Sequence, residues 1–163
     1  AFGYSLGLER GHLLGALVLT QLIGVPCAFG FGRLAQRWGP KRMILVGLAV
    51  YTLICGLAIG MSRTWHFYAL ACGVGLVQGG TQALSRSLFA TLIPAGRSAE
   101  YFGLFSTMEK FAGIAGPFIL GLLWSGGGDP RRGIAAIAGF FLLGGLLLIA
   151  VDVEEGRRQA RGG

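Results

Sequence analysis

The sequence predicts an all-α, polytopic membrane helix bundle of about five spans, and three observations carry the prediction. Hydrophobic residues make up 53% of the chain and charged residues 13%, against roughly 45–50% and about 25% in soluble domains. The apolar residues fall in long unbroken blocks, the arrangement that a hydrocarbon core of ~30 Å requires. Lysine and arginine gather in the short intervals between those blocks, where the positive-inside rule collects them. The length of 163 residues therefore counts helices rather than domains.

The first block, residues 13–31, carries no charge and comes close to the ~20 residues that a span needs at 1.5 Å per residue. A second block covers 43–62 and a third 65–94, where Pro94 stops the helix. After a turn at 95–97, the fourth block runs over 98–124. Ser98 is placed to cap it, and Glu100 lies in its first turn against the positive end of the helix dipole. The glycine-rich stretch 125–130 breaks the helix, the fifth block covers 133–151, and residues 152–163 form a polar tail. Pro26 and Pro117, inside the first and fourth blocks, are expected to kink them. Alternating loops put Arg33, Arg37, Lys41, Arg42, Arg97, Arg157, Arg158 and Arg161 on one side of the bilayer. Arg10, Arg63, Arg131 and Arg132 fall on the other. The richer side is the cytoplasmic one, so the tail is expected inside, and the glycine, alanine and arginine bias suits a bacterial plasma membrane. The first residue is Ala1 rather than Met, which fits a piece of a longer chain.

Composition also excludes function classes. The net charge of +7 sits at block ends without the aromatic interleaving of a nucleic-acid surface, so no nucleic acid is expected. Cys27, Cys55 and Cys72 lie inside apolar blocks with no Cys-x-x-Cys spacing and no His or acidic cluster beside them, and read as small hydrophobes. No paired carboxylates, nucleophile–base constellation, His-Glu-x-x-His metal site or phosphate-cradling Gly-x-x-x-x-Gly-Lys loop occurs. An enzyme, a resident metal, a cofactor and ATP drive are accordingly not expected.

The residues that remain are polar groups inside apolar blocks. Gly75 with Gly79, and Ala112 with Gly116, place small residues four apart on one helix face, the spacing that lets helices approach in lipid. Gln78, Gln82 and Ser85, at i, i+4 and i+7, share one stripe of the third block. Such a stripe either faces a wet cavity and meets a polar solute, or bonds to neighbouring helices. Glu109 and Lys110 lie a dozen residues into the fourth block, where each charge costs on the order of 2.5–3.5 kcal/mol. Adjacent helical residues point about 100° apart, so each needs its own partner. If the third and fourth blocks form an antiparallel hairpin, Arg86 and Glu109 differ in depth by only ~5 Å and can pair. Lys110 then falls near the depth of Gln82. The alternative has Arg86 and Lys110 reaching for the headgroups. His66, within Trp65-His66-Phe67-Tyr68, and His12 read as interfacial anchors.

Two stretches carry a family resemblance. Gly32-Arg33-Leu34-Ala35-Gln36-Arg37-Trp38-Gly39-Pro40-Lys41-Arg42, read as a short loop, resembles the cytoplasmic loop signature of the major facilitator superfamily. The match covers Gly32, Leu34, Ala35, Arg37, Gly39 and Lys41, with Arg42 adding a fourth cation, and departs at Gln36, where the family usually has Asp. The run Gly75-Leu76-Val77-Gln78-Gly79-Gly80-Thr81-Gln82-Ala83-Leu84-Ser85-Arg86-Ser87, followed by Ile93-Pro94, Tyr101-Phe102-Gly103, Glu109-Lys110-Phe111 and Gly116-Pro117, resembles the vacuole-effluxer-like branch of that superfamily. Fungal members of this branch export amino acids from the vacuole. The resemblance implies spans eight to twelve of a carboxy-terminal six-helix half, whose amino-terminal partner half is absent from this sequence. It implies a secondary transporter of small polar solutes, amino acids among them, working by alternating access. Gln78, Gln82, Ser85, Arg86, Glu109 and Lys110 are the candidate transport residues, and Glu109 is a candidate path for a coupling proton. A non-transporting membrane scaffold is the alternative.

Overall fold

The computed structural model describes residues 10–59, 64–125 and 130–162. Those residues form six α-helices and one 3-10 turn, with no strand among them. Helix α1 covers Arg10–Trp38, α2 Pro40–Ile59, α3 Thr64–Ala90, α4 Ser98–Ser125, α5 Pro130–Ala150 and α6 Val153–Gly162. Three segments are long and apolar enough to cross a membrane, Leu14–Trp38, Pro40–Ile59 and Gly133–Ala150. Helices α3 and α4, at 27 and 28 residues, are as long as a span needs but carry the polar stripe and the charged residues.

Two boundaries depart from the sequence reading. The interval 32–42 is no loop: α1 continues through Gly32, Arg33 and Arg37 to Trp38, and α2 begins at Pro40. A single residue, Gly39, at φ 85°, separates them. Glycine enters this left-handed region without a Cβ clash, and its amide still donates to the Ala35 carbonyl at 2.9 Å. Proline then opens α2, where its missing N–H is no loss. Lys41 and Arg42 thus lie in the first turn of a helix. The polar tail adds a further helix, α6, beyond the five blocks read from the sequence. Asp152 Oδ1 accepts from the amides of Glu154 and Glu155, both at 3.0 Å, and caps α6.

Helix α3 packs chiefly on α1 and then on α2, α5 packs on α2, and α4 leans on α5. The α1–α3 contact is close because of glycine. A Cβ on Gly75 would stand 2.7 Å from the Thr20 carbonyl oxygen, and one on Gly79 would stand 2.8 Å from that of Gly24. A Cβ on Gly80 would overlap the Phe31 ring. The second small pair behaves differently. Gly116 faces open space, so Ala112 and Gly116 mark no helix contact among the described residues. The buried cluster is Ala35, Met43, Ile44, Leu84 and Leu88, with Phe31, Leu48, Leu92, Leu148 and Val153 around it. These residues come from the end of α1, the start of α2, the end of α3 and the turn after it, the end of α5 and the start of α6.

That same end is tied by polar contacts. Lys41 Nζ donates to the carbonyls of Ile149 at 3.0 Å and Val151 at 2.7 Å, placing a cation on the carbonyl end of α5. Arg157 Nε of α6 donates to Thr91 Oγ1 at 3.3 Å. The cations Arg33, Arg37, Lys41, Arg42 and Arg157 are therefore carried at one end of the bundle. Between α3 and α4, Phe89 meets Phe102 and Phe105 with ring centroids 5.6 and 4.8 Å apart. The Arg97 fork binds Glu100 through Nε and Nη2, both at 2.9 Å. Hydrogen bonding to that carboxylate, then its charge, raises the Arg97 pKa.

Candidate functional site

The candidate site follows from the α3–α4 hairpin. The two helices leave the turn at Pro94–Arg97 in opposite directions along the chain, so residues at similar distance from the turn come to similar depth. Arg86 and Glu109 meet in this way: Arg86 Nη2 donates to Glu109 Oε1 at 3.0 Å and Oε2 at 2.9 Å. One guanidinium nitrogen serves both oxygens, so Nε and Nη1 of Arg86 keep no partner among the described residues. The pair is not sealed, with 60% of the Arg86 side chain and 46% of the Glu109 side chain exposed. An ion pair open to this extent lies at the wall of a groove rather than in a packed core.

That groove holds about 340 Å³ and is lined by Thr81, Gln82, Ser85 and Arg86 of α3 with Phe105, Met108, Glu109 and Ala112 of α4. Thr81 and Ser85 spend their hydroxyl protons on their own helix, to Val77 O at 2.6 Å and Thr81 O at 2.8 Å. Gln82 makes no hydrogen bond to a described residue, leaving its amide donors and acceptor to the groove. The structure thus brings together four of the six candidate residues, Gln82, Ser85, Arg86 and Glu109. Gln78 lies one turn further along α3 in an adjoining cleft of about 380 Å³ that Gln82 also borders. Lys110 lines neither cleft, is exposed, and forms no ion pair with a described residue.

The loop-motif residues are elsewhere. Gly39, Lys41 and Arg42 border a cleft of about 530 Å³ with Trp38, the segment from Ile149 to Glu154, and Arg157. Their role visible here is to start α2 and to cap α5. His66 of the aromatic cluster is half-buried, its ring tilted 36° against that of Trp65 with centroids 4.1 Å apart. The side chain of His12 lies outside the described residues. Cys27, Cys55 and Cys72 are free thiols, each half-buried.

The profile of proteins described as vacuole effluxer Atg22 like matches residues 2–161. The chain belongs to the Atg22-like effluxer family. Among the relatives of this effluxer family member, an uncharacterized MFS-type transporter, YxiO, of Bacillus subtilis (strain 168) is 35% identical over 94% of the chain. Autophagy-related protein 22-2 of Aspergillus oryzae is 31% identical over 90% of it, and autophagy-related protein 22 of Coccidioides immitis 30% over 96%. The chain spans 36%, 27% and 28% of the lengths of these three proteins. No solved structure matches it. The Atg22-like chain is thus an integral membrane protein of major facilitator type, its helices those of a part of the superfamily bundle.

One residue bearing on these clefts was passed over by the sequence reading. Gln21 of α1 borders the 380 Å³ cleft beside Gln78 and Gln82. Periodicity within a single helix cannot find it, because it joins the stripe only through the α1–α3 contact at Gly75 and Gly79.

Proposed function

We propose that the full-length protein is a secondary transporter that exports small polar solutes, amino acids among them, by alternating access, and that this chain supplies part of its solute-lining wall. One observation carries the reading: Gln82, Ser85, Arg86 and Glu109, from two otherwise apolar helices, line one open groove. Polar groups inside a membrane are costly and face the bundle interior or a wet cavity. Here they supply every contact that a zwitterion needs. The unoccupied nitrogens of Arg86 suit an anionic group, Glu109 suits a cationic group or a coupling proton, and Gln82 supplies neutral donors and acceptors. The family name and the transporter relatives favour this reading over a scaffold, and the basic end of the bundle is its cytoplasmic end. The remainder of the full-length protein, its amino-terminal half, closes the groove from the other side.

The test is flux of labelled amino acids in vesicles carrying the full-length protein. Loss of a charge-assisted contact corresponds to roughly a tenfold fall or more, so Glu109→Gln and Gln82→Ala are expected to lower flux to that extent. Absence of flux across a panel of neutral, acidic and basic amino acids overturns the reading in favour of a scaffold.

A further inference from the structure

The cleft between α1 and α3 holds a feature that the ion-pair groove does not explain. Three amide side chains from two helices, Gln21, Gln78 and Gln82, border the same space of about 380 Å³. None of the three side chains hydrogen-bonds to a described residue. Amides left unpaired against hydrocarbon are unfavourable, so three of them converging on one cleft need water or a ligand as partner. No charged side chain lines this cleft. Its other walls are Thr20, Gly24, Val25, Ala28, Phe29 and Gly79, and the Thr20 hydroxyl is already committed to the carbonyls of Ala16 at 2.8 Å and Ala71 at 3.2 Å. The free donors are therefore amide only, the acceptors are the amide oxygens with the Thr20 hydroxyl oxygen, and the whole set is neutral.

The cleft is also continuous with a larger one. Thr20, Gln21 and Gln78 form the polar edge of a space of about 700 Å³ whose remaining walls are chiefly apolar, with Leu17, Ile54, Leu70, Val74 and Ile137 among them. Neutral donors and acceptors thus stand at the mouth of an apolar chamber.

We propose that Gln21, Gln78 and Gln82 form a second solute subsite, which binds an uncharged donor–acceptor group such as a carboxamide while the apolar body bearing that group enters the larger cleft. Gln21 is its specificity-determining residue, because it is the member of the set that α1 contributes and, like Gln78, it borders both spaces. The assignment rests on the transport reading above for its role in turnover, and on the cleft alone for binding. From Gln78 to Arg86 is eight residues of α3, or roughly 12 Å. The neutral subsite and the ion pair therefore engage separate parts of an extended solute, or one small solute in succession.

Two measurements on the full-length protein test this separately from transport. In a background with Cys27, Cys55 and Cys72 replaced by alanine, Gln21→Cys and Gln78→Cys are treated with a membrane-impermeant thiosulfonate, alongside Leu22→Cys. Leu22 is 68% exposed, lines neither cleft, and serves as the apolar reference on α1. The reagent needs a thiolate, and a thiol in hydrocarbon ionises poorly, so labelling at positions 21 and 78 is expected to be at least about tenfold faster than at 22. N-acetyl-L-leucinamide, a neutral amide on an apolar body, is expected to slow that labelling at millimolar concentration, and acetamide is not. Labelling at the rate of Leu22→Cys, or labelling that N-acetyl-L-leucinamide leaves unchanged, overturns the subsite whether or not the protein transports. In vesicles that do show flux, Gln21→Leu is expected to raise KM about tenfold with little change in maximum rate, and Gln21→Asn to recover part of it. An unchanged KM removes Gln21 from the solute while leaving the transport reading in place, and absent wild-type flux ends the transport reading while the labelling result still decides the subsite.

Discussion

Replacing Gly75 and Gly79 by alanine, singly and together, probes the close backbone approach of α1 and α3. Alanine at an open helical position gains roughly 0.5–1 kcal/mol over glycine, because it narrows the unfolded ensemble. At these two positions the added methyl meets backbone, at 2.7 Å from Thr20 O and 2.8 Å from Gly24 O. A backbone oxygen cannot rotate away, so α1 and α3 must part by about 0.5 Å, enough to forfeit a quarter or more of each dispersion contact along the seam. Overpacking of this kind costs about 1–3 kcal/mol. The net expectation is a loss of about 1 kcal/mol for each single change. The double change should cost less than the sum, since one separation of the helices relieves both clashes. The assay is thermal unfolding in detergent followed with a thiol-reactive dye, for which half-buried Cys27, Cys55 and Cys72 are the reporters. Gly56→Ala and Gly139→Ala, where a Cβ meets nothing within 4 Å, are controls expected to hold or gain stability. If Gly75→Ala and Gly79→Ala behave like these controls, the close-contact reasoning is wrong.

Exchanging the charges of the ion pair, Arg86→Glu with Glu109→Arg, should restore flux that either single change abolishes in vesicles carrying the full-length protein; no recovery in the double variant counts against a functional pair. Gly39→Ala should lower stability by about 1–2 kcal/mol, the cost of holding a Cβ at positive φ, whereas Gly32→Ala in mid-helix should be neutral or favourable, as read by the same thermal assay. Asp152→Ala removes the cap of α6 and should cost about 1 kcal/mol, seen as faster hydrogen exchange at Glu154 and Glu155 while α3 stays protected.

Much of this architecture was legible because bilayer physics writes it directly into the chain. Long apolar blocks and charged intervals gave helices close to α1–α5, and hairpin arithmetic from the turn at Pro94–Arg97 brought Arg86 opposite Glu109. What failed was whatever depends on one residue's backbone or on a neighbouring helix. The cations near Gly39 looked like a loop, since charge density in a sequence does not distinguish a loop from two helix ends meeting at a glycine. The tail was read only as polar, and its helix went unseen because that helix is short and charged and is held by a cap and by packing against the end of α3. Two small-residue pairs with the same spacing parted ways: Gly75 and Gly79 have α1 against them, while Gly116 has open space. Gln21 escaped notice because its companions belong to another helix.

The placement of the buried cluster has a mechanical consequence. Ala35, Met43, Ile44, Leu84 and Leu88 knit α1, α2 and α3 at one end, with Leu148 of α5 packed against them, and Lys41 and Arg157 fasten that end across its rim. Further along, the same helices surround a cleft of about 700 Å³. Packing is therefore uneven along the bundle: the knotted end resists deformation, whereas beyond it the α1–α3 seam at Gly75 and Gly79 holds the walls of the hollow together.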